Sequence, residues 1–115
     1  MNTTPEQEFF IAAWRTVAQE AWDNAGDKGF WDGVLNIPAQ LAKVHSEVSE
    51  ILSAIEHGDP ESKKIPGFKC SEEEAADVVI MIMSIATGAG WRVAEALVAK
   101  MQFNETRERL HGKEF

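Results

Sequence analysis

Between Ile37 and Ile55 the apolar residues Ile37, Leu41, Val44, Val48, Ile51 and Ile55 recur at alternating steps of four and three. That rhythm is the seam of an amphipathic helix, and it does not suit a strand, whose side chains change face at every residue. Asn36 stands where an N-cap belongs, Pro38 falls in the first turn, and Gly58 and Pro60 of "HGDPES" are stop signals. A single apolar seam is stable only when other elements cover it, so this stretch sets the expectation for the rest of the chain.

Three more segments carry helical spacing. The first runs from about Pro5 to Ala25, with Phe10, Trp14, Val17 and Ala21 in register, and ends in "NAGDKG". The third starts at Ser71, passes through "EEEAADVVIMIM" and stops at "TGAGW"; it is apolar on nearly every side. The fourth takes Val93, Ala94, Leu97, Val98 and Met101 as its buried stripe and continues toward Leu110, leaving "HGKEF" as a tail. No strand pattern and no internal repeat is present. The expectation is one all-α domain over residues 1–115, a bundle-like packing of four helices.

Composition narrows the function classes. A formal charge of -8 disfavours nucleic acid as a partner, because duplex binding draws on clustered Lys and Arg to neutralise phosphates. The longest apolar run, Val78 to Met83, falls far short of the roughly 20 residues that cross a bilayer, so no membrane span is expected. One cysteine, Cys70, cannot close an intrachain disulfide, and "MNTTPEQEFF" has no basic-then-apolar leader; both point to the cytoplasm.

The chemistry lies in the carboxylates. Glu47 and Glu50 sit three residues apart on the second helix, hence on one flank of its seam, and Glu74 and Asp77 repeat that spacing on the third. Each has a bland reading. Glu47 and Glu50 suit a solvated helix surface, and Ser71-x-x-Glu74 has the form of a capping box. Asp77 resists such a reading, for it lies beyond the first turn among Ala76, Val78, Val79, Ile80 and Met81. An unpaired carboxylate there is costly or protonated, and no Lys or Arg occurs between Lys69 and Arg92. A metal ion shared with other carboxylates is the expected partner, and oxygen-only ligands suit Mg²⁺ or Mn²⁺. Glu73, four residues before Asp77, is a reserve ligand. A di-iron site would need Glu-x-x-His twice, and only Glu108 to His111 fits.

Opposite these acids stands a basic stripe. Lys100, Asn104, Arg107 and His111 follow at steps of four, three and four on the last helix. They can hold phosphate oxygens, or merely offset the helix dipole at its C-terminal end. Trp31 and Phe30 offer faces on which a base can stack, although an aromatic beside glycine also serves as a core anchor. The loop of residues 58–69 joins the acidic helices, is rich in Gly, Pro and Lys, and is expected to be mobile until phosphates order it.

Taken together, "HSEVSEILSAIEHGD", "SEEEAADVVIMIM" and "KMQFNETRERLHGKEF", with "GFWDG" before them, resemble the MazG-like, all-α nucleoside triphosphate pyrophosphohydrolases, over about residues 20 to 115. Their signature is an E-x-x-E helix followed by an E-x-x-D helix. The resemblance implies Mg²⁺-dependent cleavage of a nucleoside triphosphate between the α and β phosphates, giving a monophosphate and pyrophosphate. It carries Glu47, Glu50, Glu74 and Asp77 over as metal ligands and catalytic residues, and Lys100, Asn104 and Arg107 as nucleotide contacts. It also implies a homodimer or homotetramer, with sites partly built across subunits. Two positions depart from the pattern: Ser84 stands where relatives often carry another acid, and His57 where an arginine is frequent. The competing expectation is a non-catalytic nucleotide-binding or regulatory module on the same fold.

Overall fold

The computed structural model describes residues 2–29 and 35–107. Four helices account for its regular structure: α1 (Pro5–Asp27), α2 (Ile37–Glu56), α3 (Cys70–Ala89) and α4 (Val93–Glu105). The all-α, bundle-like expectation holds, and the described residues contain no strand, only an isolated bridge between Glu61 and Lys69. The first helix runs two residues further than the sequence suggests, to Asp27.

Local chemistry explains where the helices begin. Thr4 caps α1 reciprocally with Gln7: the Gln7 N–H donates to Thr4 Oγ1 (3.1 Å) and the Thr4 N–H to Gln7 Oε1 (2.8 Å), with Pro5 in the first turn. At α2 the Asn36 side chain accepts from the Ala39 N–H (3.1 Å), as its sequence position suggests. The start of α3 differs from expectation. Its cap is Lys69, whose N–H donates to Glu72 Oε1 (3.0 Å), and Ser71 donates both its N–H and its hydroxyl to Asp59 instead (2.8 and 2.6 Å). No Ser71–Glu74 capping box forms, which leaves Glu74 free for other work. Gly90 closes α3 in the left-handed conformation (φ 74), a backbone state that glycine adopts without a Cβ penalty.

Helix α3 is the centre of the packing, touching α2 along one side and α1 along another, while α4 packs on α1 after a 111° bend. Two buried groups hold the assembly: Ile11, Ala94 and Val98 with Trp14 between α1 and α4, and Met83, Ile85 and Ala86 on α3 near Ala18 of α1. At Gly88 the approach of α1 is so close that an added Cβ would meet the Trp22 ring at 2.5 Å, so the glycine lets the two helices come together. An ion pair between Arg15 and Glu95 ties α1 to α4 at the surface.

Burial departs from the sequence pattern in two places. The α2 seam has no fully buried residue, and Val48 and Ile55 remain about half exposed. Of the expected α4 stripe, Ala94 and Val98 are buried, but Leu97 and Met101 face outward because α4 packs mainly on α1 among the described residues. The reason is common to both: four short helices in one small chain do not present enough surface to cover every apolar face. No single helix among the described residues is long and apolar enough to cross a membrane.

The loop of residues 58–69 is crossed by hydrogen bonds that its composition does not foretell. Asp59 holds Ser71, the Cys70 N–H donates to the Pro60 carbonyl (2.8 Å), and the Ser62 N–H donates to the Phe68 carbonyl (2.7 Å). Ser62 is almost completely buried; its oxygen accepts the N–H groups of Lys64 (3.2 Å) and Ile65 (3.0 Å), and its hydroxyl donates to Glu73 on α3. These hydrogen bonds satisfy most of the loop's inward-facing polar groups and tie it to the start of α3.

Candidate functional site

The facing surfaces of α2 and α3 bring three of the four expected carboxylates together. Glu47 from α2 and Glu74 and Asp77 from α3 each offer an oxygen within 4.8 Å of the others, and all three are half-buried. The i, i+3 spacing of Glu74 and Asp77 places them one above the other on α3, and the α2–α3 contact then sets Glu47 against them. Glu50 lies on the exposed side of α2 and outside this group. Asp77 sits at the rim of the helix pair rather than in a sealed interior, since neighbouring Ala76, Val79 and Ile80 are exposed.

The electrostatics match the crowding. Burial, followed by the charges of Asp77 and Glu47, pushes the Glu74 carboxyl above the ordinary range. Asp77 is pushed up by burial and then by Glu47 and Glu73, and the ammonium of Lys64 partly offsets this. Carboxylates that resist ionising together are poised to accept a cation, which relieves their repulsion, and an all-oxygen donor set suits a hard divalent ion. The residues present therefore fit a hard divalent cation.

Beside the carboxylates opens a cleft of about 410 Å³, within the size range of small-molecule sites. Glu47 and Asp77 form part of its wall, Ala21 and Ala25 of α1 and Ile80, Met81 and Ile85 of α3 supply apolar faces, and Asn24, Gln40 and Lys43 add polar groups. Ser84 lines the same cleft at only 4% exposure, and its hydroxyl makes no side-chain hydrogen bond among the described residues. Its hydroxyl is a donor and acceptor on the cleft wall. Sequence reasoning singled out Ser84 as a departure and did not foresee Asn24, Gln40 or Lys43, because nothing in the spacing within α1 or α2 says which face meets α3.

The basic stripe lies elsewhere in the single chain. Lys100 and Arg107 both rest over the Phe103 ring, 4.8 and 5.5 Å from its centroid, on a helix that packs against α1. Asn104 has a buried Oδ1 with no hydrogen-bond partner among the described residues. His57, at the C-terminal end of α2, is exposed and places Nδ1 2.7 Å from the Ser53 carbonyl. Trp31 and Phe30, and the Glu108 to Phe115 segment with His111, lie outside the described residues. Comparison with known protein families, with curated proteins and with solved structures finds no match to this chain.

Proposed function

We propose that this protein is a metal-dependent nucleoside triphosphate pyrophosphohydrolase of the MazG-like type, in which water attacks the α phosphorus, the bond to the bridging oxygen breaks, and a monophosphate and pyrophosphate leave. The observation that carries the reading is the Glu47, Glu74 and Asp77 cluster, two of whose members, Glu47 and Asp77, line a ligand-sized cleft that also holds the Ser84 hydroxyl. An acidic cluster alone would be ambiguous. Its position beside an apolar cleft with amide and hydroxyl groups supplies what a nucleoside requires: flat apolar walls and a few polar partners for its edge.

Glu47, Glu74 and Asp77 would hold Mg²⁺ or Mn²⁺, and Glu50 would join only through an outer contact or a shift of α2. When bound, the ion acts as a Lewis acid that acidifies water and offsets charge on phosphate oxygens. The chain's own residues do the rest. The apolar walls limit water around the nucleoside, Asn24 and Gln40 can each donate and accept at a base edge, and Lys43 stands one turn from Glu47 as a cation on the rim.

The same reading takes the protein as a homo-oligomer. Val48, Leu52 and Ile55 of α2 and Val79 and Ile80 of α3 are each at least 44% exposed, an apolar surface that a second copy would cover. Assembly would also offer Lys100, Asn104 and Arg107 a route to a site that their own chain keeps from them.

A panel of ribo- and deoxynucleoside triphosphates assayed for pyrophosphate with Mg²⁺, and again with EDTA, tests the proposal. Release of pyrophosphate with at least one substrate, abolished by EDTA, is the expected result. Metal-dependent nucleotide binding without release would instead favour the non-catalytic module, and neither binding nor release would overturn the reading.

A further inference from the structure

The proposed site holds three carboxylates, and a polyphosphate would bring several more negative charges to it. Beyond the metal, some cation of the protein has to face those charges. Lys43 lines the cleft from α2, one turn before Glu47, while Lys100 and Arg107 are engaged with Phe103 on α4, which packs against α1. Lys64 is placed differently. It follows Ser62, the most deeply buried residue of the connecting loop, and its backbone N–H donates to the Ser62 oxygen (3.2 Å). The Ser62 hydroxyl in turn donates to Glu73, the residue immediately before Glu74. The latch fixes the lysine's backbone relative to α3, while its side chain stays 83% exposed and reaches to 3.9 Å from Glu73.

We infer that Lys64, carried on the loop that the Ser62–Glu73 hydrogen bond locks to α3, grips the polyphosphate from the α3 side of the carboxylate cluster, in addition to Lys43 on α2. The inference rests on the metal-dependent reading above and goes further by assigning a phosphate contact to the loop. A lysine suits the task because its ammonium is a compact charge on a flexible stem, able to leave Glu73 for a phosphate oxygen. A long ion pair whose lysine end is exposed to solvent holds it only weakly in the meantime. The backbone beneath it is already held by hydrogen bonds, so ligand binding has only the side chain to immobilise.

Calorimetric titration of the full chain with Mg²⁺ alone, and then with inorganic tripolyphosphate in saturating Mg²⁺, tests this in wild type, Lys64→Ala, Lys64→Arg and Lys63→Ala. Tripolyphosphate carries the anion without a base. Lys64→Ala should weaken its binding about tenfold or more, the scale of a lost hydrogen bond to a charged group. Lys64→Arg should retain most of the affinity, and Lys63→Ala should match wild type. Mg²⁺ alone should bind Lys64→Ala as tightly as wild type or more tightly, because the lysine no longer competes for the carboxylates. That opposite sign separates phosphate contact from a general loss of structure. Unchanged tripolyphosphate affinity in Lys64→Ala, with normal Mg²⁺ binding, overturns the role of Lys64 and leaves the metal site standing. Wild-type protein that binds neither Mg²⁺ nor tripolyphosphate overturns both.

Discussion

Asp77→Asn removes one negative charge from the cluster while keeping the side-chain volume, and the structure sets the size and sign of the outcome. With carboxylate oxygens within 4.8 Å of one another, each ionised pair repels by about 1 kcal/mol in fully screening water and about 3.5 kcal/mol at an effective dielectric of about 20. Asp77 faces two such partners, Glu47 and Glu74. Half-exposure and partial protonation reduce the sum, so the metal-free variant should be more stable than wild type by about 1 to 3 kcal/mol. For a domain of this length that is a rise of about 5 °C or more in Tm. Magnesium should reverse the order: it should raise the Tm of wild type by mass action and do little for the variant. Pyrophosphate release should fall at least about a hundredfold, on the scale of deleting an essential electrostatic contact. Thermal unfolding followed by circular dichroism, in EDTA and in Mg²⁺, reads both effects. A variant less stable than wild type in EDTA, or one that gains as much from Mg²⁺, would show that Asp77 has a structural partner and no share in a metal site.

The pH dependence follows from the same crowding. Because Glu74 and Asp77 are raised in the folded state, the native protein holds protons that the unfolded chain has released, so their contribution falls as pH rises through the window above the ordinary carboxylate values. The stability advantage of Asp77→Asn in EDTA should therefore grow between about pH 4 and 7, and a constant or shrinking difference in Tm would contradict it. Glu47→Gln should weaken Mg²⁺ binding at least about tenfold and Glu50→Gln less than about threefold, judged by calorimetry; the reverse order would move the ion to the other side of α2. Light scattering at micromolar concentration should give at least twice the 12.8 kDa chain mass, and a monomer would refute the second copy on α2 and α3.

Much of this protein was legible without coordinates, for reasons that are local. A 4-3 apolar rhythm, an Asn cap and Gly-Pro stops act within a few residues, so helices α1 to α4 and most of their ends follow from sequence, and the i, i+3 pairing of Glu74 with Asp77 is a property of any helix. The tertiary structure decided everything that depends on which faces meet. The sequence treats Glu47 and Glu50 as equals on one flank, but the α2–α3 contact turns Glu47 toward Asp77 and leaves Glu50 to solvent. Ser71 has the spacing of a capping box with Glu74, yet it is taken by Asp59 across the loop, twelve residues earlier in the chain. Lys100 and Asn104 lie on α4, but the helix ends at Glu105, before Arg107, and α4 bends away to pack on α1 and carries them from the acids. Periodicity reports the side of a helix on which a residue lies; only packing determines what stands opposite it, and opposite charges, clefts and metal sites are all relations between two elements.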